Sequence, residues 1–99
     1  MLFAVTWTTR GNTSEERDKR TLKLFTNWTP PAGFEFKGFY DYVDGNGGVA
    51  LVETSSAESM LEVFATWSTF FEFTVKPIVS TEKSTPIFQK AVAWRDSVK

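Results

Sequence analysis

The apolar pattern of the chain predicts an α+β fold. It is a four-stranded antiparallel sheet with two helices on one face and a further helix at the C-terminus. Three observations carry this. Runs rich in β-branched and aromatic residues alternate with helical patterns, in the order strand, helix, strand, strand, helix, strand, helix. Asp44-Gly45-Asn46-Gly47-Gly48 is a hairpin signal, because these residues tolerate positive φ. The first and third strands are apolar on both faces, which suits the centre of a sheet, while the second and fourth are half polar and suit its edges.

Leu2 to Thr9 reads as the first strand, with Phe3, Val5 and Trp7 on one face and Leu2, Ala4 and Thr6 on the other. Thr13 and Glu16 have capping-box spacing and start a helix that runs to about Asn27. Leu22, Leu24, Phe25 and Trp28 supply its apolar stripe. Arg17, Lys19, Arg20 and Lys23 lie beside Glu15, Glu16 and Asp18, which reads as a solvated helix face. Thr29-Pro30-Pro31-Ala32-Gly33 ends this helix.

Phe34 to Val43 alternates as the second strand. Strict alternation puts Phe34, Phe36, Tyr40 and Tyr42 on one face, and Glu35, Lys37, Phe39, Asp41 and Val43 on the other. Gly38 marks a bulge or a close backbone approach. Val49 to Thr54 is the third strand, closed by Glu53. Ser55 and Glu58 form a second capping box, and Ala57, Met60, Leu61, Phe64 and Trp67 follow at helical spacing. Phe70 to Val79 is the fourth strand, with Pro77 suited to an edge. Ser80 to Ser84 reads as a polar linker. Thr85 as N-cap and Pro86 at the first helical position then open the last helix, with Ile87, Ala91, Trp94 and Val98 in one stripe.

Composition narrows the chemistry. Ninety-nine residues make one domain. With no Cys and no His, a disulfide framework, Cys- or His-ligated metal, and a Ser-His-Asp triad are all excluded. A formal net charge of −1 gives no electrostatic footprint for nucleic acid. The third strand also lacks the aromatic and basic residues by which RNA-recognition sheets bind. No stretch approaches the length of a membrane span, and the first residues carry no basic export signal, so a cytoplasmic location and no membrane contact are expected. No G-x-G-x-x-G opens a helix, and no cofactor is expected.

Four Trp, two Tyr and ten Phe are a heavy aromatic load for one small core. Four strands of about six residues leave roughly 400 Å² of sheet uncovered on the face away from the helices. Such a surface marks an interaction site. Two covers are expected. Two sheets pack face to face in a symmetric homodimer, or the C-terminal helix folds back over its own subunit.

The segments MLFAVTW, GGVALVET, FATW and FFEFTVKPIV resemble an uncharacterised family of short ferredoxin-like domains in the dimeric α/β-barrel superfamily. The resemblance rests on Glu53 closing the third strand, on Trp67 near the end of the second helix, and on the fourth strand Phe71-Glu72-Phe73-Thr74-Val75-Lys76-Pro77. It covers residues 1–79, taken as the α/β-barrel domain. Residues 80–99 are taken as linker and C-terminal helix, packing on the same domain or on its dimer partner. The family carries no assigned activity. The superfamily includes monooxygenases, isomerases, haem-degrading enzymes and regulatory domains, and fold alone does not choose among them. The haem branch typically uses an axial His, which this chain lacks.

Three readings of function follow. The first is a non-catalytic homodimeric domain with at most a small-ligand pocket. The second is a cofactor-independent monooxygenase- or isomerase-like enzyme acting on a small aromatic compound. In it, Glu53 is the general base, and Trp7 with Tyr40 or Tyr42 orients the substrate. The third is a protein-interaction module built on the last helix. Each candidate side chain also has a structural reading. Glu53 at a sheet end pairs with a cation, and Trp7, Tyr40 and Tyr42 serve core or interface packing.

Overall fold

Eight residues of β-branched and aromatic character, Leu2–Thr9, form β1. The computed structural model describes every residue from Met1 to Lys99. The remaining elements are α1 (Glu15–Thr26), β2 (Glu35–Asp41), β3 (Gly48–Glu53), α2 (Ala57–Trp67), β4 (Phe71–Ile78) and α3 (Thr81–Ser97). The four strands make one antiparallel sheet in the order β2-β3-β1-β4. β1 and β3 are central, as their two-sided apolar patterns predict, and the ferredoxin-like order of elements is present.

The core lies between the sheet and α2. Val5, Ala50 and Val52 from the central strands pack with Val63 and Trp67 of α2 and with Phe34 ahead of β2. Phe3 and Trp7 join this face from β1. Residues paired across an antiparallel sheet point to the same side. The open side therefore carries Leu2 with Glu53 and Ile78, Ala4 with Leu51 and Lys76, and Thr6 with Val49 and Thr74. No element of the chain covers this side.

The helix starts are one residue later than the capping boxes predict. Ser14, not Thr13, caps α1, with its Oγ accepting from the Arg17 amide at 3.1 Å. Ser56, not Ser55, caps α2, with its Oγ accepting from the Ser59 amide at 3.1 Å. On α2, Val63 is buried and Leu61 is exposed, which turns the predicted apolar stripe by part of a turn. Arg17 departs from its solvated cluster. Its guanidinium donates to the Asn12 and Phe70 carbonyls at 2.8 and 2.9 Å and lies over the Phe70 ring, tying α1 to the start of β4.

The last helix differs most from expectation. Ser80 to Ser84 is not a linker. Ser80 is the N-cap, its Oγ accepting from the Lys83 amide, and the helix begins at Thr81. Pro86 consequently sits inside α3 rather than at its first position. Apart from the half-buried Ser84, every residue of α3 is exposed. The molecule measures 62 Å along its longest axis, against 30 and 19 Å across. β4 and α3 are each roughly 26 Å long at their standard rises. That long axis requires α3 to extend beyond the end of β4 instead of folding back.

A candidate aromatic cavity

α1 stands off the sheet. None of its residues is buried, Leu22 is 65% exposed, and Phe25 is also exposed. The stripe Leu22, Leu24, Phe25 and Trp28 is too sparse to close a helix onto a four-stranded sheet, because most of α1 is charged. The space left between α1, α2 and the sheet is a half-open cavity of about 260 Å³. A dry cavity of roughly 150 Å³ accepts benzene, so this one has room for two fused rings.

Its walls are aromatic. Phe39 meets three of the other rings. Its ring centroid lies 4.7 Å from that of Phe36, 5.4 Å from Trp7 and 5.9 Å from Phe25. Trp28 meets Trp67 edge to face at 5.5 Å, which closes the α1–α2 side. Such tilted and edge-on pairs are the favoured arrangements of aromatic quadrupoles. Of the lining residues only Thr21 and Asp41 have polar side chains. Asp41 is exposed and takes part in none of the three ion pairs of the molecule.

The bulge in β2 makes this wall. The pairing with β3 shifts register between Phe36 and Gly38. One extra residue reverses the alternation beyond that point. Phe39 and Asp41 thus join Phe34 and Phe36 on the helix side. Tyr40 is sent to the open side, opposite Val49, and is 65% exposed. The predicted face of Phe34, Phe36, Tyr40 and Tyr42 is therefore divided. The Tyr40 ring rests over Gly38, where an added Cβ would stand 3.0 Å from Tyr40 Cε2.

The sequence-predicted site residues do not come together. Trp7 lines the cavity. Tyr40 and Tyr42 do not line it. Glu53 ends β3 on the open side, where its Oε1 accepts from the Met1 ammonium at 2.8 Å and its side chain is 44% exposed. Phe25, Trp28, Phe39 and Asp41 are the residues that sequence reasoning missed. Gly38 was the signal for Phe39 and Asp41, since a bulge there moves every later side chain of the strand to the other face. Phe25 and Trp28 come from the apolar stripe of α1 and its C-terminal end. No group of three His, Cys, Asp or Glu side chains is placed to hold a metal.

The fold and the cavity define a class: an α+β domain of ferredoxin-like topology with one aromatic-walled recess beneath its helices. Residues 1–92 match the family described as Domain of unknown function (DUF3303), and the chain belongs to that family. The match runs past β4 into α3, so part of the C-terminal helix is included in the family's pattern. A search of curated proteins finds no match. No helix is long and apolar enough to cross a membrane.

Proposed function

We propose that the protein is a non-catalytic, cytoplasmic homodimeric domain that binds one small aromatic molecule in the cavity beneath α1. The observation that carries this is the wall itself. Phe25, Trp28, Phe36, Phe39, Trp7 and Trp67 surround an apolar space large enough for a fused-ring molecule. Asp41 adds one carboxylate to that wall, which favours a ligand with a protonated amine. α1 is the movable wall, because it is held by Arg17 at one end and by few buried contacts elsewhere. The uncovered sheet side supports the second half of the reading. Pairing through that side is the arrangement of the dimeric α/β-barrel proteins that the sequence resembles.

The test uses naphthalene and 1-naphthylmethylamine, followed by NMR of the Trp indole N–H signals. Both compounds are expected to move the signals of Trp7, Trp28 and Trp67 and to leave Trp94 unmoved. The amine is expected to bind up to about fivefold more tightly, as an exposed charge pair allows. Asp41→Asn should remove that preference and keep naphthalene binding. Unmoved indole signals at the solubility limit of both probes would overturn the cavity as a ligand site.

A further inference from the structure

Two apolar surfaces of this chain have no partner within it. One is the open side of the sheet. Its centre is formed by Leu2, Ala4, Thr6, Val49 and Leu51, with Leu51 37% exposed. The other is α3. At 3.6 residues per turn, Ile87, Ala91 and Trp94 share a stripe, and Phe88 and Val92 widen it. Val98, expected on this stripe, is the extended residue that caps the helix. Trp94 is 68% exposed, and Ile87, Phe88 and Val98 are exposed to similar degrees.

From these we infer that α3 of one copy docks on the open sheet side of a second copy, and that the two copies exchange their helices. This rests on the homodimer reading above and names what covers the sheet. α3 does not cover its own sheet. Only Val79 and Ser80 separate it from β4, and it extends away along the 62 Å axis. A second copy supplies the same helix from the other direction, and a twofold axis makes both contacts identical.

Area distinguishes the exchange from plain sheet-to-sheet pairing. Two sheet faces of roughly 400 Å² bury about 800 Å² in total, below the ~1,200 Å² of specific interfaces. A 17-residue helix covers about 26 by 11 Å. Two such helices, each on a sheet, bury roughly 1,150 Å² over the four surfaces, close to that threshold and well above the ~800 Å² of plain sheet pairing. Shape agrees. Ala4 and Thr6 keep the β1 row of the sheet side low, and Tyr40 on β2 and Ile78 on β4 stand at its borders.

Charge agrees as well. Lys83 and Lys90 lie along one edge of the α3 stripe and Arg95 falls between Ala91 and Phe88, while Glu82 lies on the far side and Asp96 borders Val92. The open sheet side bears Glu35, Glu53 and Glu72 against Lys76. Glu35 has Lys37 at 3.0 Å and Glu53 has the chain terminus, so Glu72 is the carboxylate free for a base of α3.

Sedimentation of the full chain tests this, with two variants. Ile87→Glu with Trp94→Glu spoils the helix stripe, and Leu51→Glu spoils the sheet side. The wild type is expected to be a dimer at micromolar concentration. Each variant should be a monomer there, with an unchanged far-ultraviolet sheet signal and a cooperative melt. Mixing the two variants should restore dimer, because one intact helix meets one intact sheet. A monomeric wild type at 100-fold higher concentration would overturn both the homodimer and the exchange. A dimeric helix variant beside a monomeric Leu51→Glu would overturn the exchange alone and leave sheet-to-sheet pairing. If Leu51→Glu does not fold, Thr6→Lys on the same side replaces it, with the same outcomes.

Discussion

Gly45 and Gly47 are two residues apart in the hairpin that joins β2 to β3, and they differ in what surrounds them. Both have positive φ, +77 and +117. A Cβ on Gly45 meets nothing within 4 Å, whereas one on Gly47 collides with the Trp7 carbonyl. Gly45→Ala carries only the left-handed backbone cost, about 1 kcal/mol. Gly47→Ala adds displacement of β1 at the residue that walls the cavity, and is expected to cost about 2–4 kcal/mol. Urea unfolding of the two variants checks the difference, and equal midpoints would contradict it. The glycines of this turn were legible in the sequence, because Asp-Gly-Asn-Gly-Gly admits few other structures. The fate of Tyr40 was not. Its face depends on whether Gly38 adds a residue to the ladder, and hydrophobic alternation holds no record of a bulge's phase.

At the scale of elements, the helix starts show how pattern and physics diverge by one residue. Thr13-Ser14 and Ser55-Ser56 each offer two adjacent hydroxyls, and the capping-box rule selects the first of each pair by its Glu three positions on. The backbone selects the second. At Ser14, φ −149 and ψ 161 give the extended conformation a cap requires, and its hydroxyl reaches the Arg17 amide. Ser14→Ala should therefore lower stability by about 1 kcal/mol, while Thr13→Ala should change it by no more than about 0.5 kcal/mol. Thermal melts of the two variants read this directly, and the reverse order would restore Thr13 as the cap. α3 shows the same limit from the other side. Pro86 reads as a helix start because proline favours the first helical position. Ser80 overrides it by capping a turn earlier, and α3 carries a missing amide and a crowded carbonyl at Glu82 as a result. Pro86→Ala is expected to raise the helical circular dichroism signal, since proline costs a helix interior about 3 kcal/mol. An unchanged signal would place the start of α3 at Pro86 after all.

For the whole molecule, the governing fact is how little the single chain encloses. Nine of its 99 residues are buried. Its radius of gyration is 17.9 Å, where a compact chain of this length has about 13 Å. The excess is α3, none of whose residues is buried. Isolated helices of about 15 residues are marginal in water, and this one includes a proline. In a lone chain, α3 should therefore open on a timescale far shorter than the sheet does. Docking on a second copy supplies the packing that a solitary helix lacks. Two classes of amide should then separate in a hydrogen-exchange experiment run across a dilution series. The amides of β1 and β3 pair within the sheet and should exchange slowly at every concentration. Those of Ile87 to Ser97 should exchange almost freely in dilute solution and become protected as the protein is concentrated through its dimerisation range. The protection of α3 should rise in step with the fraction of dimer seen by sedimentation, because both report one equilibrium. Rapid exchange of α3 in a fully dimeric sample would show that the dimer forms without it. Slow exchange in a fully monomeric sample would show that α3 folds onto its own subunit in solution.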